Sequence, residues 1–208
     1  NNSIKIKSLV HSYMFIGPDG IGKKLFAKEL SKIILCDNDI GACETCSSCI
    51  KFNGGNHPDF MLVDSEDGKS IKISQIRLLQ EEISQKPIIS NHKVYIVNNS
   101  DLMTIEAQNC LLKTLEEPPE YATIILVLSN ENKLLSTIKS RCAKIVFNKL
   151  TDNELTTYAN KHSIEVNNTL LSICNGSISN LINLKDNMEI YFDLDKIIRN
   201  FSTKDIVD

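Results

Sequence analysis

Phe15-Ile16-Gly17-Pro18-Asp19-Gly20-Ile21-Gly22-Lys23-Lys24 is an apolar strand end that runs into a glycine-rich turn and then a helix. The spacing is that of a phosphate-binding loop, G-x-x-x-x-G-K-[ST], with Gly17, Gly22 and Lys23 in register and Gly20 inside the turn. Such a loop joins a sheet strand to a helix whose first N–H groups point at an anion, so it constrains the fold more than any other stretch here. The residue after the lysine departs from the pattern. A hydrolysing loop places a hydroxyl there to hold Mg²⁺, whereas Lys24 brings a second ammonium, which has no oxygen and repels the metal.

The rest of the chain repeats the strand-then-helix order. Apolar runs at His11 to Ile16, Phe60 to Val63, Val94 to Val97, Thr123 to Leu128 and Lys144 to Phe147 read as strands. Between them, Phe26, Leu30, Ile33 and Ile34 recur at helical spacing as far as Leu35. Ser74 can cap a helix with Ile76, Leu79 and Ile83 on one face, and Thr104 to Glu117 forms a helix stopped by Pro118-Pro119. Lys133 to Lys139 is a short helical piece. The alternation predicts an α/β fold with a parallel five-stranded sheet, helices on both faces and ligands at the carboxyl ends of the strands.

From Lys149-Leu150 the pattern is helical only. Thr151 and Glu154 form a capping box, Asn175-Gly176-Ser177 ends one helix and starts the next, and Asp186 to Asn200 can form a third. The expected organisation is an α/β domain over residues 1–149 and a small all-helical lid over 150–208, reasonable for 208 residues. Hydrophobic residues at 42% and charged ones at 24% fit a globular protein. There is no 18-residue apolar run and no signal-like N-terminus, so a cytoplasmic location is expected. A net charge of −3 argues against holding nucleic acid by bulk electrostatics.

A phosphate-loop ATPase also needs a carboxylate, often Asp-Glu, at the end of a central strand to organise the metal and the attacking water. Here Val94 to Val97 is followed by the neutral amides Asn98-Asn99, and the nearest acid in sequence is Asp101. With the loop hydroxyl and both acids replaced, no Mg²⁺ and no intrinsic ATP hydrolysis are expected. Nucleotide binding without metal, through backbone amides and Lys23, stays open and is not required.

Of the seven cysteines, Cys36, Cys43, Cys46 and Cys49 lie within 36–56, a polar stretch with neither helical nor strand period. Four thiolates at x6, x2 and x2 spacing supply the donors of a tetrahedral zinc site, and a site filled by sulfur is structural rather than catalytic. Four unrelated thiols or a redox centre are the alternatives. Cys110, Cys142 and Cys174 read as small core residues.

Several of these features occur in the same order in a known family. The loop Gly17 to Lys24, the four-cysteine insertion, Asn56-His57-Pro58-Asp59, Asn109-Cys110-Leu111-Leu112-Lys113-Thr114-Leu115-Glu116-Glu117-Pro118-Pro119 and Ser140-Arg141-Cys142 together resemble bacterial DNA polymerase III clamp-loader subunits. The resemblance covers roughly residues 7 to 185. It is closer to the delta-prime branch than to the ATP-hydrolysing gamma/tau branch, which keeps the loop Thr/Ser and the Asp-Glu. It implies an AAA+ module with a helical lid and a zinc-binding insertion, partnered by gamma/tau and delta subunits and, through the assembly, by the sliding clamp and primed DNA. Ser140-Arg141-Cys142 matches the family's Ser-Arg-Cys motif, which implies that Arg141 acts in trans on a neighbour's ATP. A planar, permanently charged fork suits that task. The family's lid arginine is replaced, since Gly176-Ser177-Ile178 leads to Ser179. The collar domain of the family has no counterpart before Asp208, so a monomer is expected of this core and lid. Two further readings stand beside this one. The first is an ATP-hydrolysing clamp-loader motor with unusual ligands; the second is a zinc-dependent nucleic-acid binding module, for which Lys51 and Phe52 supply few contacts.

Overall fold

Five short apolar runs become five parallel strands in the computed structural model, which describes residues 9–38, 41–65 and 68–186. They are β1 (Ser12–Ile16), β2 (Phe60–Val63), β3 (Lys93–Val97), β4 (Ala122–Leu128) and β5 (Ala143–Val146), in the order β2-β3-β4-β1-β5. Every pairing is parallel, and the central strands β3 and β4 are buried along their whole length. A strand covered on both faces reads as an unbroken apolar run, which is why these segments were visible in the sequence.

The period of two sorts the side chains into two layers. Met14, Ile16, Tyr95, Val97, Ile124, Leu126 and Leu128 face α3 (Ile73–Ile83) and α4 (Ile105–Glu116), where Ile76, Leu79, Ile83, Leu111 and Leu115 meet them. Phe15, Val94, Ile96, Ile125 and Val127 face the other way, onto Ala27, Ile34 and Leu35 of α1 (Lys23–Leu35). The short α5 (Ser136–Lys139) precedes β5.

Two local expectations are corrected. The stretch after Cys36 is not without helix: α2 (Ser47–Asn53) forms there, and its first turn is capped by the Cys46 sulfur accepting from the Cys49 N–H. In addition, α3 starts before Ser74. Its N-cap is Lys72, whose N–H is taken by the Gln75 side chain at 3.0 Å, while the Ile71 bridge to Met103 fixes the entry.

The chain divides into two compact units. One comprises the residues up to Gly17 together with Lys23–Phe147; the other comprises Pro18–Gly22 and the residues from Asn148 onward. The second contains α6 (Asp152–Lys161), α7 (Asn168–Cys174) and α8 (Ile178–Asp186) around Leu155, Ala159, Leu170, Leu171, Cys174 and Leu181. The Thr151–Glu154 capping box opens α6, and Asn175 in the left-handed region (φ 48°) closes α7. Gly176 follows at φ 79°, where an added Cβ would come within 2.7 Å of Lys149 Cβ, so only glycine fits. The helix expected over Asp186 to Asn200 lies, past its first residue, outside the described residues. Among the described residues no helix is long and apolar enough to cross a membrane.

Candidate functional site

The glycine-rich turn follows the end of β1, whose next residue Gly17 donates its N–H to Leu128 O at 3.4 Å. Gly20 and Gly22 adopt φ of 75° and 97°, the left-handed region that glycine enters without steric cost. Lys23, the first residue of α1, is buried and folds its ammonium back onto Gly17 O at 2.6 Å. The Gly20 carbonyl accepts the Ser179 N–H at 3.0 Å, and a Cβ built on Gly20 would fall on the Ser177 hydroxyl. Gly20 and Gly22 thus adopt glycine conformations, while the Lys23 ammonium and the Gly20 carbonyl are each engaged by the chain itself.

Lys24 is the decisive departure. Its ammonium pairs with Asp64 Oδ2 at 2.6 Å, and Asp64 comes from the residue that follows β2. The same carboxylate accepts Asn98 Nδ2 at 3.0 and 3.1 Å and Asn99 Nδ2 at 3.2 Å. Burial alone would raise the Asp64 carboxyl, but the Lys24 and Asn98 hydrogen bonds outweigh it and hold it below the usual carboxylate range. Lys24, Asn98 and Asn99 thus stand where a hydrolysing loop would put its hydroxyl and its acids, joined by one carboxylate that sequence reasoning passed over. Asp101 lies elsewhere and accepts the Asn130 N–H at 3.2 Å.

Arg141 sits one residue past the C-cap of α5 and is about one-third exposed. Its NH1 donates to Thr137 O at 2.9 Å, and its NH2 pairs with Glu116 Oε1 at 2.8 Å, at the end of α4. The guanidinium is held by its own chain at the rim of the first unit, with part of its fork open to solvent. Glu116 belongs to the Leu-Glu-Glu-Pro-Pro motif, and its link to Arg141 was not visible in the sequence.

The four-cysteine loop converges. The Sγ atoms of Cys36, Cys43, Cys46 and Cys49 all lie within 4.8 Å of one another, Cys36 and Cys46 at 3.9 Å. Zinc–sulfur bonds of about 2.3 Å in a tetrahedron require sulfurs about 3.8 Å apart. Backbone N–H groups already point at sulfur: Asn38 and Cys43 at Cys36 (both 3.4 Å), Cys46 at Cys43 and Cys49 at Cys46 (both 3.3 Å). Such donors favour thiolate, and the Thr45 and Cys46 donors bring Cys43 down to about 6. Burial pushes Cys49 up to about 12. The four residues can hold a zinc ion, which would supply a structural crosslink with no open position. None of the seven cysteines is in a disulfide; Cys142 is half-buried, with its thiol pushed up to about 12 by burial, and Cys174 lies in the core of the second unit. Cys110 is half-buried and donates to Gln80 Oε1 at 3.0 Å.

His57 and Asp59 anchor this loop to the sheet. The buried Asp59 carboxylate accepts the N–H groups of Ile88, Ile89 and Ser90 at 2.7 to 2.8 Å. Burial would raise its pKa, yet these donors hold it below the usual range. His57 Nδ1 accepts the Asp59 N–H at 3.0 Å, which leaves the ring proton on Nε2, facing Ser48 Oγ at 2.8 Å. Ser48 and Ser90 both donate to Leu35 O, at 2.5 and 2.8 Å. An imidazole protonated on the serine side, and kept neutral by burial, is no base for Ser48, so the network is architectural.

The family model described as "DNA polymerase III, delta subunit" matches residues 1–151. Over 150 residues the chain is 43% identical to the DNA polymerase III subunit delta′ of Bacillus subtilis strain 168, taking in 72% of this chain and 45% of that protein. It is 32% identical over 206 residues to the DNA polymerase III subunit gamma/tau of Mycoplasma genitalium, covering 94% of this chain and 34% of the other. The chain thus spans less than half the length of these relatives. Among solved structures, a gamma subunit-related protein of Thermotoga maritima superposes with a TM-score of 0.57 at 21% identity, over 87% of this chain and 55% of that one. The RuvB Holliday junction branch migration motor of the same organism superposes with a TM-score of 0.52 at 14% identity, over 90% and 57%. Those two likenesses, both under 25% identity, are of fold alone.

Proposed function

We propose, on the premise that the chain belongs to the DNA polymerase III delta-subunit family, that it is a delta-prime-like clamp-loader subunit that does not hydrolyse ATP. In this reading it acts as a stator and contributes Arg141 to the nucleotide of an adjacent ATPase subunit, with gamma/tau and delta subunits as partners. On the same reading, residues 1–149 serve as the AAA+ module and 150–208 as its lid, with one structural zinc on Cys36, Cys43, Cys46 and Cys49. One observation carries the absence of hydrolysis: Lys24, Asp64, Asn98 and Asn99 are bonded to one another at the place where Mg²⁺ and water would be organised.

A protein cation tethered there repels a divalent ion and engages the Asp64 carboxylate, so among the described residues this cluster offers neither a vacant acid nor a base for water. The motor alternative asks this cluster to do what its ligands cannot. The nucleic-acid module alternative gains no support, because Phe52 packs on Phe60 at 4.6 Å between ring centroids and is not available for stacking on a base.

Arg141→Ala in the full-length subunit, reconstituted with its partners, tests the reading. A finger in related phosphate-loop systems is worth about 10³ to 10⁵ in rate. Clamp-stimulated hydrolysis should fall clearly, though by less than that factor because other sites still fire, and Arg141→Lys should rescue poorly. Normal assembly with unchanged ATPase and loading would reduce Arg141 to the partner of Glu116 and remove the trans role.

A further inference from the structure

We infer that Lys32, Glu44 and Asn53 form a polar clamp that sets the geometry of the four-cysteine loop for its metal. The inference rests on the zinc reading and concerns residues that no motif singles out. Lys32 lies in the last turn of α1, and its side chain is only 7% exposed. An ammonium there, beside the apolar face that meets the sheet, is costly to bury without a partner. Its partner is the Glu44 carboxylate, directly bonded to it. The other Glu44 oxygen accepts Asn53 Nδ2 at 2.9 Å, from the last residue of α2.

Each clamp residue stands next to a ligand. Lys32 is four residues before Cys36, Asn53 is four after Cys49, and Glu44 follows Cys43 directly. A single carboxylate therefore ties together the three segments that carry the cysteines. Glu44 also has φ of 63°, a left-handed conformation that a residue with a β-carbon disfavours. That twist turns the chain so that the Cys46 N–H reaches Cys43 Sγ at 3.3 Å and both sulfurs face inward. Two bonds to Glu44, from opposite sides of the loop, give a physical reason for the conformation to persist. Partners behind metal ligands commonly set affinity by a factor of about 10 to 100.

The test uses the whole chain purified with zinc, its Lys32→Met and Glu44→Ala variants, a chromophoric chelator to time metal loss, and Co²⁺ absorption to report thiolate ligation. Both variants should bind Co²⁺ with the wild-type four-thiolate spectrum at saturation, yet lose zinc about 10- to 100-fold faster. Thermal melting of the sheet should stay near that of the wild type in Lys32→Met, whereas Glu44→Ala, which leaves Lys32 buried without its partner, should melt lower. Zinc retained at the wild-type rate in both would overturn the clamp and leave the zinc site standing. Faster loss in Lys32→Met that only tracks a lowered melting temperature would overturn it as well, since that is a fold effect. Wild-type chain that takes up no zinc would overturn both the clamp and the zinc reading.

Discussion

The two ends of α1 carry loops that the sequence treats in opposite ways, each with a lysine bonded to an acid brought in from elsewhere. At the N-terminal end the glycines keep the sequence spacing of a phosphate loop, but the residue after Lys23, Lys24, is paired with Asp64. At the C-terminal end the loop has little regular structure, yet its four sulfurs converge, and Lys32 with Glu44 sits behind the sulfurs instead of among them. Sequence spacing and ligand chemistry are thus separable. The first loop retains the spacing without the donors; the second retains the donors and obtains its shape from bonds to α1 and α2.

The largest expected effect sharpens the second half of that contrast. Chelation of the chain as purified should remove close to one zinc per molecule. It should also raise amide exchange sharply over 43–53, because thiolate zinc binding of about 10 kcal/mol or more is coupled to local folding. The strands should keep their protection. Substoichiometric metal with all four thiols titrating freely in the folded chain would make the loop an ordinary insertion.

Next in size is Asp59→Asn, which leaves three backbone N–H groups facing an amide that offers one oxygen instead of two. A loss of about 3 kcal/mol in denaturant unfolding is expected, since hydrogen bonds to a charged acceptor are worth more than neutral ones. An effect under about 0.5 kcal/mol would show that the Asp59 carboxylate does not hold the segment 88–90.

Acid sensitivity separates general fold effects from both loops. His92 is buried against Thr123 Oγ1 at 2.9 Å, and burial brings it down to about 4. The folded state therefore binds its proton less readily than the unfolded chain, whose histidine titrates near 6.5. Stability is intact above about pH 6.5 and falls at up to about 1.4 kcal/mol per pH unit on the way to pH 4. His92→Gln should flatten unfolding free energy across that window. A profile unchanged by the substitution would assign the acid response to other groups.

The sequence made the sheet legible because both faces are covered and the strands read as continuous apolar runs. It made the four-sulfur cluster legible because Cys-x2-Cys-x2-Cys gathers thiols on one short segment. What it hid were partners distant in the chain. Asp64 is 40 residues from Lys24 and looks like any acid after a strand. Glu116 looks like a helix-end charge until α5 brings Arg141 to it. The helix α2 was missed because seven residues with a thiol for an N-cap carry no apolar period and no oxygen cap.

The smallest stability effect expected is that of Lys24→Thr, since its ion pair is part-exposed and such pairs contribute about 1 kcal/mol or less. Its interest is chemical, because it restores the hydroxyl at the position where the two loops differ most.

The claim that the first loop has the spacing without the chemistry is tested most directly by phosphate release from the isolated chain in saturating Mg²⁺ and ATP, with and without primed DNA. No release above buffer is expected under either condition. Mg²⁺-dependent turnover that disappears in Lys23→Ala would contradict it and make the chain a motor.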